Sequence, residues 1–367
     1  MRNFDKRLLL GTNIAIWHHP ETFNDPRVKA YFEQASIGLV RMPGGSTSDQ
    51  YFWNGNGVRS GNTVDRTKYK AHRWAIDYSD WKPGFSGFWG FPKDTKTAKL
   101  ETWHGHANVK DQHEFIRRVG AQALVTVNAG TGTPKDAAEW VRWARQMDYD
   151  VRYWEVGNEL GGDWESGTVR PDGKRMDGKM YGEIYAQFAA AMKAVDADAK
   201  VGSQGGVDFI EGALSHHEVP VDFVTFHDYY NAEGNTIAAR FKTLERIRKQ
   251  ISDIRQAIEK HRPGADIPIG ITEYNCKLFE DEGTSDVFSG LWTVAAVGEM
   301  LYGGLDFATQ WDAFTQKRDN GGGHGFMIEM GVVPKAEYWA LHLLSQFLGS
   351  ELLAVEDSSD DAPRRPR

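Results

Sequence analysis

Along the 367 residues, eight short apolar runs rich in β-branched residues alternate with longer stretches of helical periodicity. No other feature constrains the fold as much. The runs are Leu8 to Ile16, Ile37 to Met42, Ala123 to Asn128, Val151 to Val156, Lys200 to Ser203, Asp222 to Phe226, Pro268 to Glu273 and Asp306 to Trp311. Helical patterns follow at Pro26 to Ala35, Asp111 to Val119, Pro134 to Gln146, Lys179 to Val195, Asp208 to Ser215, Thr236 to Lys260, Thr284 to Tyr302 and Lys335 to Phe347. Strands covered by helices on their outer face read as near-continuous apolar runs, and their alternation with helices is the sequence form of repeated βα units. Eight such units predict an α/β fold, a (β/α)8 TIM barrel; a doubly wound sheet is the other architecture that this alternation allows. Two helix starts carry a capping side chain ahead of proline, at Asp25-Pro26 and Thr133-Pro134. The barrel is expected to fill residues 1–353. The remainder, 354–367, turns acidic and then rich in Pro and Arg, as a disordered tail or linker would.

The second and third strands are separated by about eighty residues, Pro43 to Gln122, far more than one crossover helix requires. Much of the chain's aromatic content lies there, including Tyr51, Trp53, Tyr69, Trp74, Trp81, Trp89 and Trp103, interleaved with glycines. This insertion, 43–110, is expected on the active face as an ordered lid or cleft wall, because a linker would not concentrate rings. Aromatic rings lining a cleft are suited to stacking on sugars.

A net charge of -8 argues against nucleic acid and against an anionic membrane surface as partners. The single Cys276 excludes an intramolecular disulfide and any multi-thiolate metal centre. No stretch approaches the roughly 20 apolar residues of a membrane span. The first ten residues hold only three consecutive leucines, too few for the apolar core of an export signal. The compartment therefore stays open: secreted if a leader has been trimmed, cytoplasmic otherwise.

Barrel chemistry is carried at the C-terminal ends of the strands. There, Trp154-Glu155-Val156-Gly157-Asn158-Glu159 closes the fourth strand and Ile271-Thr272-Glu273-Tyr274 the seventh. Glu155, in mid-strand, reads as structural, whereas Glu159 lies beyond Gly157 where the chain enters the loop. Glu273 ends an apolar strand, and a buried carboxylate must be paired or functional. Two such glutamates facing each other across a barrel mouth are what glycosidic cleavage needs, one as a protonated acid and one ionised. A metal centre is not expected. Adjacent histidines in His18-His19 and His216-His217 would point to opposite faces of a strand, and only His104 and His106 could share one. Glu280-Asp281-Glu282 reads as a solvated loop, and Gly321-Gly322-Gly323 lacks the Lys-Ser/Thr of a phosphate loop.

On these motifs the chain resembles a retaining glycoside hydrolase of clan A. Arg41-Met42-Pro43-Gly44-Gly45 and His227-Asp228-Tyr229 add to the likeness, which is with the α-L-arabinofuranosidase, β-xylosidase and endoglucanase/xyloglucanase families. The resemblance implies Glu159 as general acid/base and Glu273 as nucleophile, with no cofactor. It implies Asn158 on the sugar 2-hydroxyl. Arg41 is placed to keep Glu273 ionised, and His227 and Tyr229 to bond substrate and nucleophile. Trp311 would form the floor of the sugar subsite, with Trp17 and Asn128 along its wall. The partner is an oligosaccharide or polysaccharide. The aromatic insertion favours endo action on a β-glucan or xylan; a closed pocket would instead suit an exo-acting α-L-arabinofuranosidase or β-xylosidase. A carbohydrate-binding barrel without catalysis and a metal-dependent barrel hydrolase are the rivals from other classes.

Overall fold

The computed structural model describes residues 2–53, 57–58, 103–104, 106–162, 165–168, 174–231, 236–276, 286–315 and 323–353. Eight parallel strands close into a barrel: β1 (Gly11–Asn13), β2 (Leu39–Met42), β3 (Gln122–Val127), β4 (Val151–Val156), β5 (Val201–Gln204), β6 (Phe223–Tyr229), β7 (Ile269–Asn275) and β8 (Phe307–Gln310). Each pairs with its neighbours in sequence, and β8 pairs with β1. The outer ring consists of α1 (Pro26–Gln34), α2 (Val109–Arg118), α3 (Pro134–Gln146), α4 (Gly178–Val195), α5 (Val207–Leu214), α6 (Ile237–Lys242), α7 (Glu245–His261), α8 (Val287–Gly303) and α9 (Ala336–Phe347). The fold is the expected (β/α)8 barrel. No helix among the described residues is long and apolar enough to cross a membrane.

Three boundaries differ from the sequence reading. The first strand begins at Gly11, because Asp5 accepts from Arg7 N and caps a helical turn over Lys6–Leu9. Beyond Asn13 the chain leaves the regular ladder, although Ile14 N and Ile16 N still donate to Arg41 O and Pro43 O. The pattern from Thr236 to Lys260 is two helices, not one. They separate at Thr243, whose hydroxyl donates to Arg240 O and accepts from Trp292 Nε1. Finally, β6 and β7 run on to Tyr229 and Asn275, since their paired edges carry the ladder past the apolar residues.

Side chains two apart on a strand share a face, and this stacks the barrel interior in layers. Leu39, Leu124, Tyr153, Phe223 and Phe307 form an apolar plug near the strand starts. Two residues further along the same strands come Arg41, Thr126, Glu155, Thr225 and Thr309, all wholly buried. Glycines admit the rings below: a Cβ at Gly270 would stand 2.1 Å from the Phe307 ring, and one at Gly202 2.4 Å from Phe223. Thus an aromatic floor supports a polar layer directly beneath the barrel mouth.

Tyr51–Phe52, Gly57–Val58 and Trp103–His104 form a small antiparallel sheet, which ties together the two ends of the long insertion. Its aromatic stretch between residues 59 and 102, the loops at Glu280-Asp281-Glu282 and Gly321-Gly322, and the tail from 354 lie outside the described residues.

Candidate active site

The polar layer is organised by Arg41. Its Nε donates to Glu155 Oε2 at 2.8 Å, and Nη1 donates to Glu273 Oε1 at 2.7 Å and to Asn13 Oδ1 at 3.1 Å. Nη2 donates to Asn158 Oδ1 at 2.7 Å. Burial works against the guanidinium charge, but Glu155 and Glu273 more than offset it and raise the pKa of Arg41. Glu155 also accepts from Thr126 Oγ1 at 2.8 Å, Thr225 Oγ1 at 2.6 Å and Thr272 Oγ1 at 2.7 Å. Burial alone would raise its pKa, yet Arg41, His227 and these hydroxyls hold it below the usual carboxylate range. Glu155 is therefore the ionised anchor of the layer.

Glu273, near the end of β7, receives Arg41 on Oε1 and the Tyr229 hydroxyl on Oε2, the latter at 2.6 Å. Burial and the adjacent Glu273 push the Tyr229 pKa well above the usual phenol range, so it donates as a neutral phenol. Across the mouth, Glu159 follows a turn that only a special backbone can make. Gly157 has φ 79° and Glu159 φ 47°, a left-handed conformation uncommon for a glutamate. Gln204 at the tip of β5 fixes the turn by accepting from Glu159 N at 2.7 Å. The Tyr181 phenol on α4 ties the same two strand tips, donating to Val156 O at 2.8 Å and accepting from Gln204 N at 2.9 Å. Such local strain, about 1–3 kcal/mol, is held by surrounding structure and concentrates at functional sites.

His227 joins the two carboxyls. Its Nδ1 lies 2.8 Å from Glu159 Oε1 and 4.0 Å from Glu273 Oε1, and its Nε2 lies 3.0 Å from Thr272 Oγ1. The proton of the Thr272 hydroxyl is committed to ionised Glu155, so Thr272 must accept from His227 Nε2–H. Nδ1 of a neutral ring then faces Glu159 with a lone pair. The contact is a hydrogen bond only when the pair holds one further proton, on Glu159 or on the ring. The contact therefore places one shared proton between Glu159 and His227.

One oxygen or nitrogen from each of Glu159, His227 and Glu273 lies within 4.8 Å of the other two. By donor type these three could chelate a cation, but the buried Arg41 charge 2.7 Å from Glu273 opposes one there. A cavity of about 500 Å³ opens beside Glu159 and His227, walled by Gly161, Gln204, Gly205, Phe209 and Phe226. Another, of about 400 Å³, lies at the opposite end between Arg7, Arg117, Gln122 and Asp150, and meets neither carboxyl.

Of the residues singled out in the sequence, Arg41, Asn158, Glu159, His227, Tyr229 and Glu273 form one hydrogen-bonded network. Trp311 and Trp17 sit edge to face beside it, ring centroids 6.0 Å apart. Gly45 leaves the space for Trp311, whose ring would stand 2.8 Å from a Cβ there. Asn128 is turned away from the network: its Oδ1 accepts from Thr131 N and Gly132 N, and its Nδ2 donates to Tyr51 O and Thr131 Oγ1. These bonds shape the loop after β3. His18 accepts from Ala15 N and contacts Phe314 O, His19 stacks on His106, and His216 meets Glu218.

The family model described as Glycosyl hydrolases family 39 matches residues 165–360, just over half the chain. Among curated proteins, the intracellular exo-α-(1→5)-L-arabinofuranosidase 1 of Bacillus subtilis is 22% identical over 303 residues, covering 73% of this chain and 53% of that protein. The chain thus spans about half the length of this relative. Among solved structures, an α-L-arabinofuranosidase of Thermotoga petrophila superposes with TM-score 0.70 at 16% identity, over 95% of this chain and 72% of its own. A monomeric β-xylosidase of Caulobacter crescentus does so with TM-score 0.60 at 16% identity, over 97% of this chain and 71% of its own.

Proposed function

Because the chain belongs to the glycosyl hydrolases family 39, we propose that it cleaves glycosidic bonds with retention of anomeric configuration, Glu273 as nucleophile and Glu159 as acid/base. The observation that carries this reading is the separation of the two carboxyls, whose nearer oxygens lie within 4.8 Å. Inverting enzymes need about 6.5–9.5 Å to admit a water between the carboxyls, whereas retaining enzymes hold them about 5 Å apart. In the first step a Glu273 oxygen bonds to the anomeric carbon as the bond to the leaving oxygen breaks, and the proton shared between Glu159 and His227 passes from Glu159 to that oxygen. In the second, Glu159 takes a proton from water, the water oxygen bonds to the anomeric carbon, and Glu273 leaves as carboxylate. Arg41 and Tyr229 hold the two oxygens of Glu273 throughout.

The substrate we propose is a terminal α-L-arabinofuranosyl residue, taken by exo action. Support comes from relatives whose names carry that activity. A β-xyloside is the second reading, favoured by the β-xylosidase neighbour. Endo action on a β-glucan or xylan rests on the aromatic insertion, most of which is outside the described residues. The test is release of sugar from aryl α-L-arabinofuranosides, aryl β-xylosides, arabinan, xylan and β-glucan, with the first-formed anomer read by proton NMR. Free arabinose of retained configuration is expected. Oligosaccharides as first products would replace exo with endo action, and an inverted first product or no product on any substrate would overturn the mechanism.

A further inference from the structure

Glu165 lies in the loop after β4 and is wholly buried. Its Oε1 accepts from Asn158 Nδ2 at 3.1 Å and from the Ser46 hydroxyl, while Oε2 has no partner among the described residues. Three acids bear on it, Glu159 beyond the tip of β4, Asp49 from the loop after β2, and Glu273 on β7, with the Arg41 guanidinium on the far side of the Asn158 amide. Burial and these acids push the Glu165 pKa well above the carboxylate range. Asp49 shares the burial, but it accepts from three backbone N–H groups, of Ala129, Gly130 and Asn158. Negative charge is better held at Asp49. The proton stays on Glu165, and on Oε2, because Oε1 already accepts two bonds.

The amide of Asn158 has one allowed orientation in this setting. Arg41 can only donate, so Oδ1 must face it and Nδ2 must face Glu165. We propose that Glu165 is a positioning residue, a neutral carboxylic acid that locks the Asn158 amide and ties it through Ser46 to the loop after β2. The chain of contacts runs Ser46, Glu165, Asn158, Arg41, Glu273, from the root of the long insertion to the attacking carboxylate. One N–H of the Asn158 amide is used on Glu165. This inference rests on the glycosidase reading for its kinetic consequence, though not for the protonation of Glu165.

Two measurements test it. The infrared difference spectrum of wild type minus Glu165→Gln at neutral pH is expected to carry the carbonyl stretch of a protonated carboxyl; an ionised carboxylate signal there overturns the proposal whether or not the protein cleaves any sugar. In steady-state kinetics, Glu165→Gln, which matches a neutral acid in shape and charge, keeps kcat and the acid limb of the pH profile within about twofold of wild type. Glu165→Leu lowers kcat by about 10²-fold, as a small misplacement of a reacting group does, and Ser46→Ala lowers it less while leaving the fold intact. Wild-type kinetics in the Leu and Ala variants, or a Gln variant as damaged as Leu, overturns the positioning role. Should Leu fail to fold, the Ser46→Ala kinetics and the infrared band decide. A wild type without glycosidase activity sinks the functional reading, and the infrared band then judges Glu165 alone.

Discussion

Glu159 and Glu273 carry the same functional group, and what divides the tasks proposed for them is what each oxygen touches. Both Glu273 oxygens accept from donors, Arg41 and Tyr229. Glu159 lies 2.8 Å from His227 Nδ1 and is the more exposed of the two, 20% against 5% for their side chains, as the acid role proposed for it requires. Glu159→Ala should therefore lower turnover of linkages with a poor leaving group by about 10²–10⁴-fold, the usual range for general acid catalysis. Aryl glycosides, whose phenolate departs without a proton, should lose far less in the first step, and added azide should restore turnover as a glycosyl azide of retained configuration. Equal losses on both substrate types without azide rescue would remove Glu159 from the acid role. Glu273 could be picked out in the sequence because a carboxyl near the end of an apolar strand is conspicuous, and Glu159 because it follows such a strand just past Gly157. Asp49 and Glu165 could not, since each sits in an irregular loop and acquires its environment only when three loops converge.

At the scale of elements, α4 and α5 approach so closely that glycine is required on both. A Cβ at Gly212 would stand 1.8 Å from Gly178 O, and one at Gly182 2.4 Å from Gly212 O. Helix propensity alone favours Gly212→Ala by about 0.8–1 kcal/mol. The obstacle is a backbone carbonyl that cannot rotate aside, and forced overpacking costs about 1–3 kcal/mol. A carbonyl at 1.8 Å puts the packing cost at the upper end of its range, so Gly212→Ala is expected to lower the unfolding free energy in urea titration by up to about 2 kcal/mol, the difference of these terms; a stabilised variant would mean that the helices can part without loss. Since α4 supplies Tyr181 and α5 starts just past Gln204, kcat should fall along with stability. The strands were legible because parallel strands buried on both faces must be apolar. The split between α6 and α7 was not, because the hydroxyl of Thr243 is engaged by Trp292 from α8, a tertiary partner that no local pattern announces. The extension of β6 to Tyr229 likewise depends on pairing with β7.

Over the whole molecule, the layout pairs charge at the barrel centre, Arg41 with Glu155 and Glu273, and buries an acid in the helical shell. Glu337 on α9 is wholly buried and neither carboxyl oxygen has a partner among the described residues. Around it stand Lys335 before α9, Asp286 capping α8 and Arg240 on α6. Burial pushes its pKa from 4.5 up to about 8, against the pull of Lys335 and Arg240. In the unfolded chain Glu337 loses its proton near 4.5, whereas in the native state it keeps it until about 8. Between these values the native state binds more protons than the unfolded state, so stability falls as pH rises through the window, by about 1.4 kcal/mol per pH unit for one such group. Below the window both states are protonated, and above it both are ionised, so the slope from this residue vanishes at each end. Glu337→Gln keeps the shape of the neutral acid and removes the titration. Urea unfolding of the variant across the window should accordingly lose that slope and exceed wild type most at its alkaline end, with the two proteins converging at the acid end. Parallel stability curves for variant and wild type would show instead that the shell admits water or a cation to Glu337 and that its charge is already accommodated where α6, α8 and α9 meet.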